Sequence, residues 1–480
     1  MIFSSVFFLF VFLPVTLILY FIVPWKFKNL LLLLVSLIFY AWGEPIYVFL
    51  MLFSIIFNYF GGLQIDSLKQ SGDTKKLKFS FLFTLIVNLA ILGFFKYYGF
   101  VLDSLNSILP FDIPYKELAL PIGISFYTFQ LLSYVIDVYR GEVHAQKKFW
   151  LLLLYASLFH QCIAGPIVRY QDVAEEIRHR KMTLKEFSKG IKRFCSGLAK
   201  KAILANGCAA IADTFLLTSD TGALAQVPAA GLWLGALAFM LEIYLDFSAY
   251  SDMAIGMGLM IGFHYKENFD YPYMSASITD FWRRWHISLG SFFRDYVYIP
   301  LGGNRKGMKR MIINMFIVWF LTGMWHGASW NYIFWGLYFF AFLVIEKKWL
   351  LKKFETLPSI VPHLYALIVL YFGWILFKFE NFSALGLALK GMFGLNGNGW
   401  SGMQVCLSFK NNIFFLIFAI VASTPLLKKI HKKVVDWHRK NKKMPYVVYA
   451  YEIVSPIVLL ILSTMALVGN SYNPFLYFQF

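Results

Sequence analysis

Phe320-Leu321-Thr322-Gly323-Met324-Trp325-His326-Gly327-Ala328-Ser329-Trp330 is an almost uncharged apolar stretch with one histidine in it. Whether it lies in water or in lipid decides the fold. Composition answers. The 480 residues are 59% hydrophobic, 20% aromatic and 15% charged, whereas a soluble domain carries about 25% charged residues. Several runs exceed the roughly 18 apolar residues that cross a bilayer. The first, Met1 to Trp25, has no basic leader and is followed by Lys26 and Lys28. That fits a retained first span better than a cleaved signal peptide. The chain therefore reads as an all-helical, polytopic integral membrane protein.

Spans are expected near 3–24, 29–43, 45–63, 78–99, 119–138, 149–167, 202–218, 229–262, 311–325, 332–346, 361–377, 411–427 and 446–468. Some are too short to cross, so about 11 or 12 transmembrane helices are expected, with re-entrant segments, in a single domain over 1–480. Gly43-Glu44-Pro45 marks a tight hairpin between two of them.

The net charge of +18 does not point to nucleic acid. Lysines and arginines gather in short loops between apolar spans, as the positive-inside rule requires. The basic loops include 69–78, 169–201, 305–310, 347–353 and 428–443; the charge-poor ones are 101–118, 219–229 and 379–410. Their alternation places both termini outside and the 428–443 loop in the cytoplasm. Within 169–201, Val173, Ile177, Leu184, Phe187, Ile191, Phe194 and Leu198 recur near helical spacing among cations. That predicts amphipathic helices on the membrane face. The four cysteines show no metal-ligand spacing, and a disulfide framework is not expected.

An ionisable side chain at bilayer depth is costly and tends to mark a pathway or a reaction centre. His326 is one such group. A neutral imidazole in a low-dielectric site takes a proton from a hydroxyl as that hydroxyl attacks an acyl group. A packed histidine bonded between helices is the bland alternative. His286 closes Asp280-Phe281-Trp282-Arg283-Arg284-Trp285-His286; it either completes a reaction centre or belongs to an interfacial aromatic belt. Asp246 and Asp252 lie in an apolar span and need partners; an ion pair with a cytoplasmic arginine is expected for them. Gln130, Ser133, Tyr134 and Asp137 either line a cavity or bond between helices. Gly302-Gly303-Asn304-Arg305 is a weak nucleotide motif, with no Lys-Ser/Thr after it.

Several long, ordered motifs resemble the membrane-bound O-acyltransferase (MBOAT) family. They are Asp280 to Leu289, Arg294-Asp295-Tyr296-Val297-Tyr298-Ile299-Pro300-Leu301-Gly302-Gly303-Asn304-Arg305, Trp325-His326-Gly327, Phe159 to Tyr170, and Tyr244 to Gly256. More narrowly, they resemble the bacterial branch of AlgI, PatA and DltB, and the likeness covers nearly the whole chain. His160 stands where that branch would have proline.

The resemblance implies helices arranged around a central tunnel. By the same likeness, His326 would be the catalytic base, with His286 assisting. Acetyl-CoA would be the donor substrate, with no permanently bound cofactor and no metal. Arg283, Arg284 and Trp325 would hold the donor, although plain positive-inside charge explains the two arginines equally well. The aromatic end, Asn473 to Phe480, would carry acetyl on Tyr477 or serve only as an interfacial anchor. The protein would sit in the bacterial inner membrane. It would pass acetyl to an extracytoplasmic acetyltransferase partner (PatB- or AlgJ/AlgX-like) that modifies an envelope polysaccharide. The short chain and its lysine- and phenylalanine-rich composition lean towards peptidoglycan; alginate or another exopolysaccharide, or D-alanyl transfer to teichoic acid, are the alternatives. A secondary transporter is the rival from another class.

Overall fold

The computed structural model describes residues 2–163, 165–441, 445–469 and 475–476. Among them every regular element is a helix. Among the described residues, seven helices are long and apolar enough to cross a membrane: Trp25–Gly43, Tyr47–Ser71, Thr74–Asn106, Ala229–Ile261, Ile360–Lys378, Met403–Ala422 and Ala450–Gly469. The protein is a polytopic membrane protein. Several expected spans form shorter or interrupted helices. Residues 149–167 are helical only over Phe149–Ser157, and 202–218 starts inside a π-helical turn, Lys200–Ala205.

The chain divides into two compact units, each made of discontinuous stretches. The first holds Met1–Phe194, Ser251–Glu267 and Ser291–Tyr296. Here Tyr47–Ser71 and Thr74–Asn106 form a hairpin. Gly72 turns it with φ 76°, and the Asp73 side chain caps the second helix at the Lys76 N–H. At membrane depth Asn58 and Asn88 exchange amide hydrogen bonds at 2.8 and 3.0 Å. Packing against Ile124–Arg140 depends on Gly62, where a Cβ would stand 2.6 Å from the Tyr134 hydroxyl.

Of the polar residues of Ile124–Arg140, Ser133 bonds within its own helix to the Gln130 carbonyl, while Tyr134 and Asp137 bond to other elements. Tyr134 Oη accepts from the Gln146 N–H at 3.0 Å, and Asp137 accepts from the Tyr296 hydroxyl at 2.8 Å. His160 is buried, with Nδ1 3.0 Å from the Tyr265 hydroxyl. Tyr170–Arg178 and Leu184–Ala199 are the expected amphipathic helices, with Val173, Ile177, Phe194 and Leu198 turned inward. Asp252 pairs with Arg193 at 3.0 Å, the arginine partner foreseen for it.

The second unit holds Cys195–Tyr250, Asn268–Gly290 and Val297–Phe480. Its centre is a tight pair, Gly307–His326 and Trp330–Ile345, joined across Gly327-Ala328-Ser329. A Cβ at Gly323 would lie 2.5 Å from the Tyr332 carbonyl oxygen, and one at Gly336 would lie 2.4 Å from that of Trp319. Small residues at such crossings let helix backbones touch, which is how membrane helices gain packing energy without a hydrophobic drive. Gly302-Gly303 is a turn at positive φ, and the Asn314 amide donates to the carbonyls of Leu301 and Gly303. It is scaffolding for the next helix.

Candidate active site

His326 is the last residue of its helix. The backbone becomes extended at Gly327, so the imidazole sits where the helix stops. It is 7% exposed and packed edge-on against Trp335 and Phe377, with centroids 4.8 and 5.4 Å away. One side opens on a small cavity. The other walls are Ile243, Asp246, Phe247, Trp285, Trp374, Phe377 and Leu476. His326 and Asp246 are the titratable groups of this lining, and the rest is apolar or aromatic. Such a lining is typical of small-molecule sites, where a few polar groups do the chemistry.

His286 belongs to the same neighbourhood. Trp325 stands between the two histidines, 5.5 Å from the ring of His286 and 4.9 Å from that of His326. Phe247, a cavity wall, meets His286 edge-on at 4.6 Å. His286 adopts φ 44°, a conformation non-glycine residues rarely take and one associated with functional sites. Its Nδ1 lies 3.2 Å from Asn268 Oδ1, which requires a proton on Nδ1 and leaves the lone pair on Nε2. Nε2 is buried and meets no hydrogen-bond partner among the described residues. Burial holds this imidazole well below its usual pKa and therefore neutral.

The segment before His286 is fixed by Glu346, which is fully buried. Its carboxylate accepts the N–H groups of Ile278 and Thr279 at 2.5 and 2.8 Å, and the Thr279 hydroxyl at 2.6 Å. These are open donors at the start of the Ile278–Arg284 helix, where an anion is well placed. Ser277 caps the same end by accepting the Asp280 N–H.

Arg283 and Arg284 are not part of the cavity lining. Arg283 is exposed. Arg284 is held by Asp280 at 3.0 Å and lies 3.8 Å from Asp270. Asp246 does not take the arginine partner expected for it. Its partner is Lys201 at 2.6 Å, both side chains 3% exposed. Tyr477 lies outside the described residues. Sequence reasoning missed Lys201, Asn268, Glu346 and Leu476; the need of Asp246 for a buried cation was the one signal pointing to the first.

Residues 146–379 match the membrane-bound O-acyltransferase family. A probable alginate O-acetylase, AlgI, of Azotobacter vinelandii is 37% identical over the full length of both chains. The chain belongs to the membrane-bound O-acyltransferase family. A peptidoglycan O-acetyltransferase of Helicobacter pylori is 32% identical over all of this chain and 98% of its own. A teichoic acid D-alanyltransferase of Bacillus subtilis is 29% identical over 50% of this chain and 62% of its own. The protein is a membrane O-acyltransferase, and the transporter reading falls away. The family match encloses both histidines, Asp246 and Glu346.

Proposed function

We propose that the protein takes acetyl from acetyl-CoA at the cytoplasmic face and delivers it towards an envelope polysaccharide on the outer side. The observation behind this reading is the cavity, where a buried histidine at a helix end faces an aromatic space with one carboxylate. His326 takes the proton of an attacking hydroxyl. The oxygen then bonds to the acetyl carbon, the thioester C–S bond breaks, and the proton passes from the imidazolium to the departing CoA thiolate. Neutral His286, with its free Nε2, accepts a hydrogen bond from substrate or water at the same centre. Tyr477 is the proposed acetyl carrier, and an extracytoplasmic acetyltransferase the proposed partner. Alternating basic and charge-poor loops support an inner-membrane protein with both termini outside.

Two acceptors are in view. Alginate-type exopolysaccharide is favoured by the 37% identical relative, above the 32% of the peptidoglycan one. Peptidoglycan is the second reading. Deleting the gene and measuring ester-bound acetate on each purified polymer separates them. For the chemistry, His326→Ala should lower CoA release from acetyl-CoA by about 10²–10⁴-fold, the usual loss with a general base. Turnover near wild type at wild-type expression would overturn the assignment.

A further inference from the structure

In the last apolar helix, Ala450–Gly469, few residues are fully buried: about half are exposed, and the helix packs along Lys200–Ala205. The described residues beyond it behave in the opposite way, with Phe475 1% and Leu476 9% exposed. A helix with so few fully buried residues does not by itself account for burial this complete in the residues after it, and both have polar or charged partners of their own.

The holder is the Lys201–Asp246 pair. The Leu476 N–H donates to Asp246 Oδ2 at 2.9 Å, while Lys201 Nζ lies 2.6 Å from Oδ1. The same ammonium sits 4.8 Å from the centre of the Phe475 ring. Tyr250 meets that ring edge-on at 4.1 Å. A charged acceptor for a backbone N–H binds any extended chain. A cation over a ring selects an aromatic side chain. Both modes therefore act on two adjacent residues. A buried ion pair adds little to stability over an apolar pair of the same size, so stability alone does not account for it. Asp246 and Leu476 both line the His326 cavity.

We propose that Asp246 and Lys201 form a receptor for the chain's own C-terminal segment. They dock an aromatic–aliphatic peptide in the wall of the His326 cavity and so position it for the reaction. The positioning role rests on the cavity being the reaction centre; the docking does not.

The test is hydrogen–deuterium exchange of the full chain in lipid nanodiscs, without donor, alongside steady-state kinetics. Lys201→Met/Asp246→Leu removes both partners, so no lone charge is buried. The peptide containing 475–476 should then exchange at least about tenfold faster, the loss expected with one hydrogen bond to a charged group. The Ala229–Ile261 helix should keep its protection, and kcat should fall with the KM for acetyl-CoA unchanged. Asp246→Glu, which keeps charge and acceptor, should restore part of the protection. Unchanged exchange at 475–476 overturns the proposal. So does equal acceleration throughout Ala229–Ile261, because the pair would then support the fold and not the tail. His326→Ala should stop transfer and leave the tail protected, which separates failure of this idea from failure of the acyltransferase chemistry.

Discussion

Gly323→Ala places a methyl group where the two helices around His326 touch. The new Cβ would stand 2.5 Å from the Tyr332 carbonyl oxygen and 3.2 Å from Ile333 Cα. Ordinary contact needs about 3.5 Å, so the helices must separate by about 1 Å. Both opposing atoms are backbone, so no rotamer change relieves the clash. Gly323 is one helical turn before His326, and the shift passes directly to the imidazole. Overpacking of this kind costs about 1–3 kcal/mol, and a misplacement of about 1 Å at a reacting group costs about 10²-fold in rate. The expected outcome is a protein that inserts and purifies, melts somewhat lower, and releases CoA about a hundredfold more slowly. Thermal unfolding in detergent and a thiol-release assay read the two effects. Wild-type turnover in Gly323→Ala would refute the claim that this crossing sets the position of His326. Gly386→Ala is the control, since a Cβ there meets nothing within 4 Å.

Glu346→Gln puts an amide NH₂ among donors that now meet a carboxylate, and hydrogen bonds to charged groups are worth about 1.5–3 kcal/mol each. Loss of amide protection across Ile278–Arg284 and of most turnover is expected; full activity would mean the clamp does not hold the His286 segment. On the loops, His264 bridges Glu176 at 2.7 Å and Glu186 at 3.2 Å. Burial pulls this imidazole down, but its bonds to the two carboxylates outweigh that and leave its pKa raised. The bridge therefore contributes fully below the usual histidine pKa of about 6.5 and fades as pH rises through the higher folded value. Protease cleavage between Arg178 and Leu184 should quicken over that rise in wild type and show no such step in His264→Gln.

The membrane fold was legible because apolar runs of bilayer length need no tertiary information. The two histidines stood out as candidates because His326 is an ionisable residue in an apolar run and His286 closes a charged, indole-rich motif. What the sequence concealed was direction. Arg283 and Arg284 precede His286 by only three and two positions, yet the helix ends at Arg284, His286 turns at φ 44°, and neither arginine lines the cavity. Trp325, which the resemblance assigns to the donor, packs against both imidazoles. Asp252 found an arginine as anticipated, whereas Asp246 took Lys201 from the same basic stretch. Spacing along that stretch could not say which cation would reach which carboxylate. The break at Ser157 was hidden for a similar reason, since Leu158 to Ile163 carries no proline or glycine to announce it.

The Asn58–Asn88 exchange has a bearing on how the first hairpin is made. Two greasy helices can slide along one another with little change in energy, because every leucine or phenylalanine finds another in the next position. A slip of one turn, about 5.4 Å, would instead leave two carboxamides facing hydrocarbon. The pair thus works as a detent. It gives the hairpin one alignment for its neighbours to pack against.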